Sequence, residues 1–209
     1  MKYKTQTEYW LNKENNTLRG EFEQMYQDID DPWGCYKGTS SLNNKIFIEV
    51  LFEEGTVYRD ILDIGCGLGG LTRLIHAKNG GGRVTGIDIS ETAISKARRL
   101  HPHIQFECKN IMNDKLHGKY DLIILSEILW YILEKIEEIV MKLAEALDKD
   151  GIIGVHQYFP FSQNFGKEII NGVEGFDYFL ETKTPFKWKR KVISYHDDGV
   201  VLLGTLKHV

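Results

Sequence analysis

Ile61-Leu62-Asp63-Ile64-Gly65-Cys66-Gly67-Leu68-Gly69-Gly70 decides the fold: a short apolar run carrying one acid enters a glycine-rich turn. About twenty residues on, a second apolar run, Val84-Thr85-Gly86-Ile87, ends in Asp88. Glycines let a backbone come close to a ligand, and a carboxylate at the end of the next strand can hold both hydroxyls of a ribose. The pair predicts a nucleoside-cofactor site in a parallel α/β sheet.

Downstream, apolar strand-like runs alternate with helical patterns, as βαβ units require. The predicted strands are 60–64, 83–87, 104–108, 122–125 and 152–155. Leu71, Leu74 and Ile75 give one helix face, and Ser90 is placed to cap a helix that ends before Pro102. Ile132, Ile136, Ile139, Val140, Leu143 and Leu147 recur at helical spacing, with Gly151 as the stop. Residues 188–195 and 200–206 flank His196-Asp197-Asp198-Gly199 and predict a terminal hairpin. The expectation is a doubly wound, Rossmann-like α/β sheet of seven strands, mostly parallel, with a C-terminal antiparallel hairpin.

Before the sheet lie residues 1–58, which a minimal nucleotide-binding unit does not need. Leu18, Phe22, Met25, Tyr26 and Ile29 form a helical stripe, and Ser41 is a candidate cap for a helix bearing Ile46, Phe47, Val50 and Leu51. Between them Asp30-Asp31-Pro32-Trp33-Gly34 reads as a turn, either a surface loop or a lid over the cofactor. The whole 1–209 is expected to be one domain: a helical cap or lid over 1–58 and a core over 59–209.

Composition narrows the class. The 209 residues are 42% hydrophobic and 27% charged, ordinary for a globular chain. A net charge of −4 gives no bulk attraction to nucleic acid or to an anionic membrane. Cys35, Cys66 and Cys108 are odd in number and lack metal-ligand spacing, so no metal is expected and a reducing, cytoplasmic location is. The polar first ten residues predict no secretory leader.

Gly65, Gly67 and Gly70 satisfy G-x-G-x-x-G, which alone fits a dinucleotide. Asp63 argues otherwise, because an acid just upstream is poorly placed for a pyrophosphate at the helix N-terminus. S-adenosylmethionine (SAM) carries a sulfonium and an ammonium instead, and both suit nearby negative charge. The spacing of Asp63, Gly65, Gly67 and Gly69 resembles the first motif of class I SAM-dependent methyltransferases, and the likeness continues through Asp88 and the terminal hairpin.

That resemblance implies roles residue by residue. Gly65 and Gly67 would let the backbone pass beside the methionine part, and Asp63 would orient the loop and the amino group through water. Asp88 would hold the ribose hydroxyls and Ile89 would pack on adenine. Asn110, followed by Ile111, stands where the family often places an acid accepting from the adenine amino group; Asp114 is a rival. Cys66, Gly69 and Leu125 complete the implied cofactor set, with S-adenosylhomocysteine (SAH) as the product.

Residues 22–45, with Met25-Tyr26, then Asp31-Pro32-Trp33-Gly34 and Ser40, resemble the N-terminal region of the nodulation-factor (chitooligosaccharide) N-methyltransferase type. Ser126-Glu127-Ile128-Leu129-Trp130-Tyr131 is similar to that family's acid-then-aromatic segment, although Leu42-Asn43 replaces the Tyr-Glu those relatives often carry. The implied acceptor is an oxygen or nitrogen of a small metabolite: a sugar, an amino sugar, or a phosphonate- or phosphoramidate-like group.

Candidate catalytic residues are His156, a base by its intrinsic pKa, Glu127 and Tyr158. Trp33, Trp130 and Tyr131 are candidates for the acceptor pocket or lid, and each reads equally as core packing. Aromatic residues crowd 159–179, which suggests a pocket roof or a homodimer contact, again with core as the alternative. Lys187, Lys189, Arg190 and Lys191 read as an RNA or phosphate patch or as charge protecting a sheet edge, the latter favoured. The competing functions are an RNA or protein methyltransferase, a nicotinamide-dependent oxidoreductase, and a non-catalytic SAM-binding relative.

Overall fold

The computed structural model describes residues 1–34 and 42–209. In chain order the elements are α1 (Thr7–Trp10), β1 (Leu11–Asn12), β2 (Thr17–Leu18), α2 (Phe22–Asp28), α3 (Leu42–Leu51), β3 (Asp60–Ile64), α4 (Gly70–Asn79), β4 (Arg83–Asp88), α5 (Glu91–Leu100) and β5 (Gln105–Cys108). There follow β6 (Tyr120–Ser126), α6 (Leu129–Ile132), a 3₁₀ turn (Leu133–Lys135), α7 (Ile136–Ala146), β7 (Leu147–Pro160), α8 (Gly172–Lys183), β8 (Phe186–His196) and β9 (Gly199–His208).

Seven strands form one sheet in the order β5-β4-β3-β6-β7-β9-β8. The first five run parallel, and β9 joins antiparallel to both β7 and β8. This is the expected doubly wound architecture. Strand order reverses at β3, flanked by β4 on one side and β6 on the other, and the crevice beyond the strand ends there is where open α/β sheets bind ligands.

Alternation along the strands covers both faces. Ile61, Leu122, Ile124 and Ile152 pack with Phe47 and Leu51 of α3 and Ile75 of α4. Leu62, Ile64, Ile123 and Ile153 pack instead with α7 and α8. Ile61, Leu62 and Ile64 are each 1% exposed, and burying one such aliphatic stabilises by about 1.5–3 kcal/mol. Three of them outweigh the cost of carrying Asp63 into the same strand.

Several elements differ from the sequence reading. Leu18 lies in β2, because the β1–β2 hairpin claims it, and the helical stripe begins at Phe22. The single helix expected over 132–147 is broken into α6, the 3₁₀ turn and α7, and Leu147 leaves it in extended conformation to begin β7. Gly151 therefore sits inside a strand rather than stopping a helix; a Cβ there would lie 2.8 Å from the Tyr120 carbonyl oxygen. The aromatic stretch hides α8, whose Phe176 and Phe179 are core. Ser90 caps α5, accepting from the Ala93 N–H at 3.0 Å, as expected. The cap expected at Ser41, with Cys35 and Ser40, lies outside the described residues.

Three of the four basic side chains singled out on β8 are paired locally. Lys189 and Arg190 pair with Glu53, and Lys191 with Asp177. β8 is the outermost strand of the sheet, where charge discourages pairing with another chain. Among the described residues no helix is long and apolar enough to cross a membrane.

Candidate active site

The turn after β3 is built by its glycines. Gly65 and Gly67 have φ of 75° and 53°, in the left-handed region that L side chains avoid. Space is equally short: a Cβ on Gly65 would lie 2.8 Å from Ile128 Cδ1, and one on Gly67 2.6 Å from the Tyr26 hydroxyl. The Gly65 and Cys66 N–H groups both donate to the Ile87 carbonyl, at 2.8 and 3.0 Å, which ties the turn to the end of β4. The Cys66 side chain points inward, packing with Ile94, Ala97, Ile104 and Phe106, so only its backbone faces the turn. Burial pushes its thiol pKa well up.

Asp88 lies at the end of β4 and accepts from the Gly67 N–H and the Ser90 N–H, both at 2.9 Å. Its burial raises its pKa, against the opposing pull of those amides. Asp63 is 2% exposed and accepts from the Thr72 hydroxyl at 2.6 Å. Burial drives its pKa to about 7, with the Asp88 charge adding to the rise. Asp63 thus braces the turn against the first residues of α4, while Asp88 stands at its mouth. Paired acids suit hydroxyl donors and cations and oppose a pyrophosphate, so the site fits SAM and does not fit a dinucleotide.

On the far side of β4, Ile89 is 45% exposed, a large apolar surface beside Asp88. The Asn110 side-chain oxygen accepts from the Met112 N–H at 3.0 Å, and Asp114 accepts from the Asn110 N–H at 2.8 Å. Both side chains shape the turn after β5. Ile111 is core, and Leu125 packs partly buried against the same cluster.

Across the switch point, β6 ends at Ser126 and Glu127 takes φ of 54°. A non-glycine residue in that region costs of order 1 kcal/mol and is held only by its surroundings. Here the Glu127 N–H donates to the His156 carbonyl at 2.8 Å, and its Oε2 accepts from the Tyr158 N–H (3.3 Å) and Gln157 Nε2 (3.2 Å). Gln157 in turn accepts from the Leu129 N–H at 3.1 Å, at the start of α6. Burial raises the Glu127 pKa to about 7, although 44% of the side chain stays open, so solvent tempers the shift.

His156 Nε2 lies 3.5 Å from Glu127 Oε1, and Nδ1 lies 3.0 Å from Ser126 Oγ. Its ring packs against Phe47 at 5.4 Å. Burial lowers its pKa to about 4, so it is neutral at pH 7. Intrinsic pKa values suggested His156 as the base; burial reverses the order, leaving Glu127 the group that titrates near neutrality. The Tyr158 side chain departs from the cluster: its hydroxyl engages Asp198 in the hairpin turn, and only its backbone reaches Glu127.

Aromatic rings gather beside this edge. Tyr131 lies 4.9 Å from Phe22, 5.4 Å from Trp10 and 6.0 Å from Trp33, and Trp10 lies 6.2 Å from Phe165. Trp130, one residue earlier, turns inward onto Phe159 at 5.4 Å and is core packing. The sequence reading did not single out Trp10, Gln157 or Glu23. Trp10 stands in a polar segment without periodicity, and the other two act through contacts from distant parts of the chain.

Glycine turn, strand-end acid and sheet topology together resemble the cofactor site of SAM-dependent methyltransferases. Residues 62–153 match the family described as a methyltransferase domain. The malonyl-[acyl-carrier protein] O-methyltransferase of Acetivibrio thermocellus is 30% identical over 165 residues, 62% of this chain and 58% of that protein. Trans-aconitate 2-methyltransferase of Escherichia coli is 33% identical over 95 residues, 46% of this chain and 37% of that protein. The chain thus spans less than two thirds of the length of these curated relatives. Among solved structures, the N-methyltransferase NodS of Bradyrhizobium japonicum with SAH superposes with a TM-score of 0.70 at 17% identity, covering 89% of this chain and 97% of NodS. The plantazolicin methyltransferase BpumL with SAH gives 0.66 at 17% identity, covering 98% and 95%. Both share the fold.

Proposed function

We propose that this protein transfers a methyl group from SAM to an oxygen or nitrogen of a small metabolite, with Glu127 receiving the acceptor's proton. The observation that carries this reading is Glu127 itself. It stands on left-handed backbone at the end of β6, next in sequence to Ile128, whose side chain covers Gly65 of the glycine turn. A carboxylate held at such a cost beside the cofactor turn, with a pKa near neutrality, is poised to accept a proton from an ammonium or a hydroxyl.

Bound SAM would supply an electrophilic methyl on its sulfonium. The chain's own part is alignment and proton handling. Asp88 would take the ribose hydroxyls, and the turn would lay its backbone along the methionine part. Gln157 and the Tyr158 N–H hold Glu127 in place, while neutral His156 backs it without competing for the proton. Tyr131, Phe22 and Trp10 would wall the acceptor and exclude water.

The acceptor class we favour is a sugar or an amino sugar, whose hydroxyl or ammonium has a proton to give; a phosphonate-like metabolite, already anionic, would be methylated without help from Glu127. Support for a small acceptor comes from trans-aconitate, the compound named for one of the curated relatives. The test is mass spectrometry of amine, alcohol and phosphonate acceptors incubated with enzyme and SAM. The amine or the alcohol class should gain a methyl, and Glu127→Gln should slow that turnover by about 10²-fold while SAH affinity holds. Full turnover in Glu127→Gln at every pH would remove the proton-accepting role.

A further inference from the structure

Charge guards only one half of the outer edge of the sheet. Lys187, Lys189, Arg190 and Lys191 crowd the first half of β8, and the pairing with β9 shifts register between Trp188 and Arg190. From Arg190 to His196 the ladder is regular, and Val192-Ile193-Ser194-Tyr195 carries no charge. A charged, irregular edge resists pairing with another strand, whereas a regular, uncharged one invites it.

This second half is apolar on both faces of the sheet. Ile193 and Tyr195 stand opposite Leu202 and Val200, on the side of α7 and α8, and are 37% and 75% exposed. Val192 stands opposite Leu203, on the α3 side, and is 37% exposed. There it lines an open groove of about 760 Å³ with Ile46, Ile48 and Val50 of α3. Just past the strand the sign of the charge changes, because Asp197 and Asp198 form the exposed turn into β9. Basic at one end, apolar in the middle and acidic at the other, the edge complements itself run in the opposite direction.

A two-fold axis normal to the sheet pairs such a strand antiparallel with its own copy, and opposed residues then share a face. With the axis at Ser194, Ile193 of each copy meets Tyr195 of the other, and Arg190 and Lys191 meet the acidic turn. Glu53 and Asp177 already hold Arg190 and Lys191 from within each chain, so the turn acids add to existing pairs. An axis at Ile193 would set Tyr195 against Lys191, and one at Tyr195 would set Ile193 against Asp197. Only the Ser194 axis keeps the apolar pair and the charge match together.

We infer that residues 190–196 of β8 are a self-association edge, where two copies of this chain join antiparallel about a two-fold axis at Ser194 and their seven-stranded sheets become one continuous sheet. The occupant of the edge is thus a second copy of the chain.

Sedimentation of the full chain across micromolar concentrations tests it, with thermal unfolding to confirm that each variant is folded. Wild type should sediment as a dimer. Ile193→Lys sets a charge against Tyr195 at two symmetric places and should weaken the dimer by about 10²-fold. The axis is tested separately by cross-linking in a chain carrying Cys35→Ser and Cys108→Ser. There Ser194→Cys should form a disulfide with its own copy on oxidation, and Lys187→Cys, at the far end of the strand, should not. A wild type that stays monomeric at every concentration overturns the inference. So does a dimer that Ile193→Lys leaves intact, or one that cross-links through Lys187→Cys as readily as through Ser194→Cys.

Discussion

Asp63 and Glu127 are carboxyl groups with pKa values of about 7, and they reach that value in different settings. Asp63 is sealed in β3 with a single hydroxyl partner, whereas Glu127 opens onto the edge where an acceptor would arrive. For Asp63 the consequence is a stability effect. Its folded pKa lies above its unfolded value, so the native state holds the proton between about pH 4 and about pH 7, and its contribution falls as pH rises through that window. Asparagine keeps the bond from Thr72 and has no proton to lose. The stability of Asp63→Asn relative to wild type should therefore increase from about pH 5 to about pH 8, by a few kcal/mol at most. Urea denaturation at both pH values measures it, and parallel profiles would contradict the buried, shifted acid. Both acids were visible in the sequence; the reversal between Glu127 and His156 was not, because it depends on burial contributed by Phe47 and by the partners of β7.

Elements were legible where a period ran without interruption. β3, β4 and α5 lie within a residue of their expected bounds, because alternation and the Ser90 cap specify them locally. The break between α6 and α7 was not readable, since the apolar positions on its two sides keep a helical period. Nor was the seating of α2, which depends on contacts nearly seventy residues apart in sequence. Glu23 makes the largest of them. Burial would raise its pKa, but hydrogen bonds from Ser90 and Thr92 outweigh that and hold it at about 2. Such a depressed acid stabilises above its unfolded pKa, and the contribution is lost as pH falls toward about 2. Glu23→Gln should cost about 1–2 kcal/mol near neutral pH, and its difference from wild type should shrink on acidification. Chemical denaturation across that range checks the sign; a difference that grows toward acid would contradict the clamp.

At the scale of the whole molecule, the reversal of strand order at β3 brings distant stretches to one edge. The glycine turn and Asp88 arrive from one side, and Glu127 with the Tyr131 aromatic group from the other. That the glycine turn and Asp88 come together was legible because these residues sit within about thirty positions and follow consecutive strands. The aromatic group was only partly legible, because Trp10, Phe22, Tyr131 and Phe165 meet through folding and not through a motif. The central claim is that Asp88 holds the ribose of a SAM-type cofactor, and titration calorimetry with SAH tests it most directly. Wild type should bind SAH and Asp88→Ala should bind it about 30-fold more weakly, the loss of about 2 kcal/mol of hydrogen bonding to a charged group. Equal affinity in the two proteins would contradict the account.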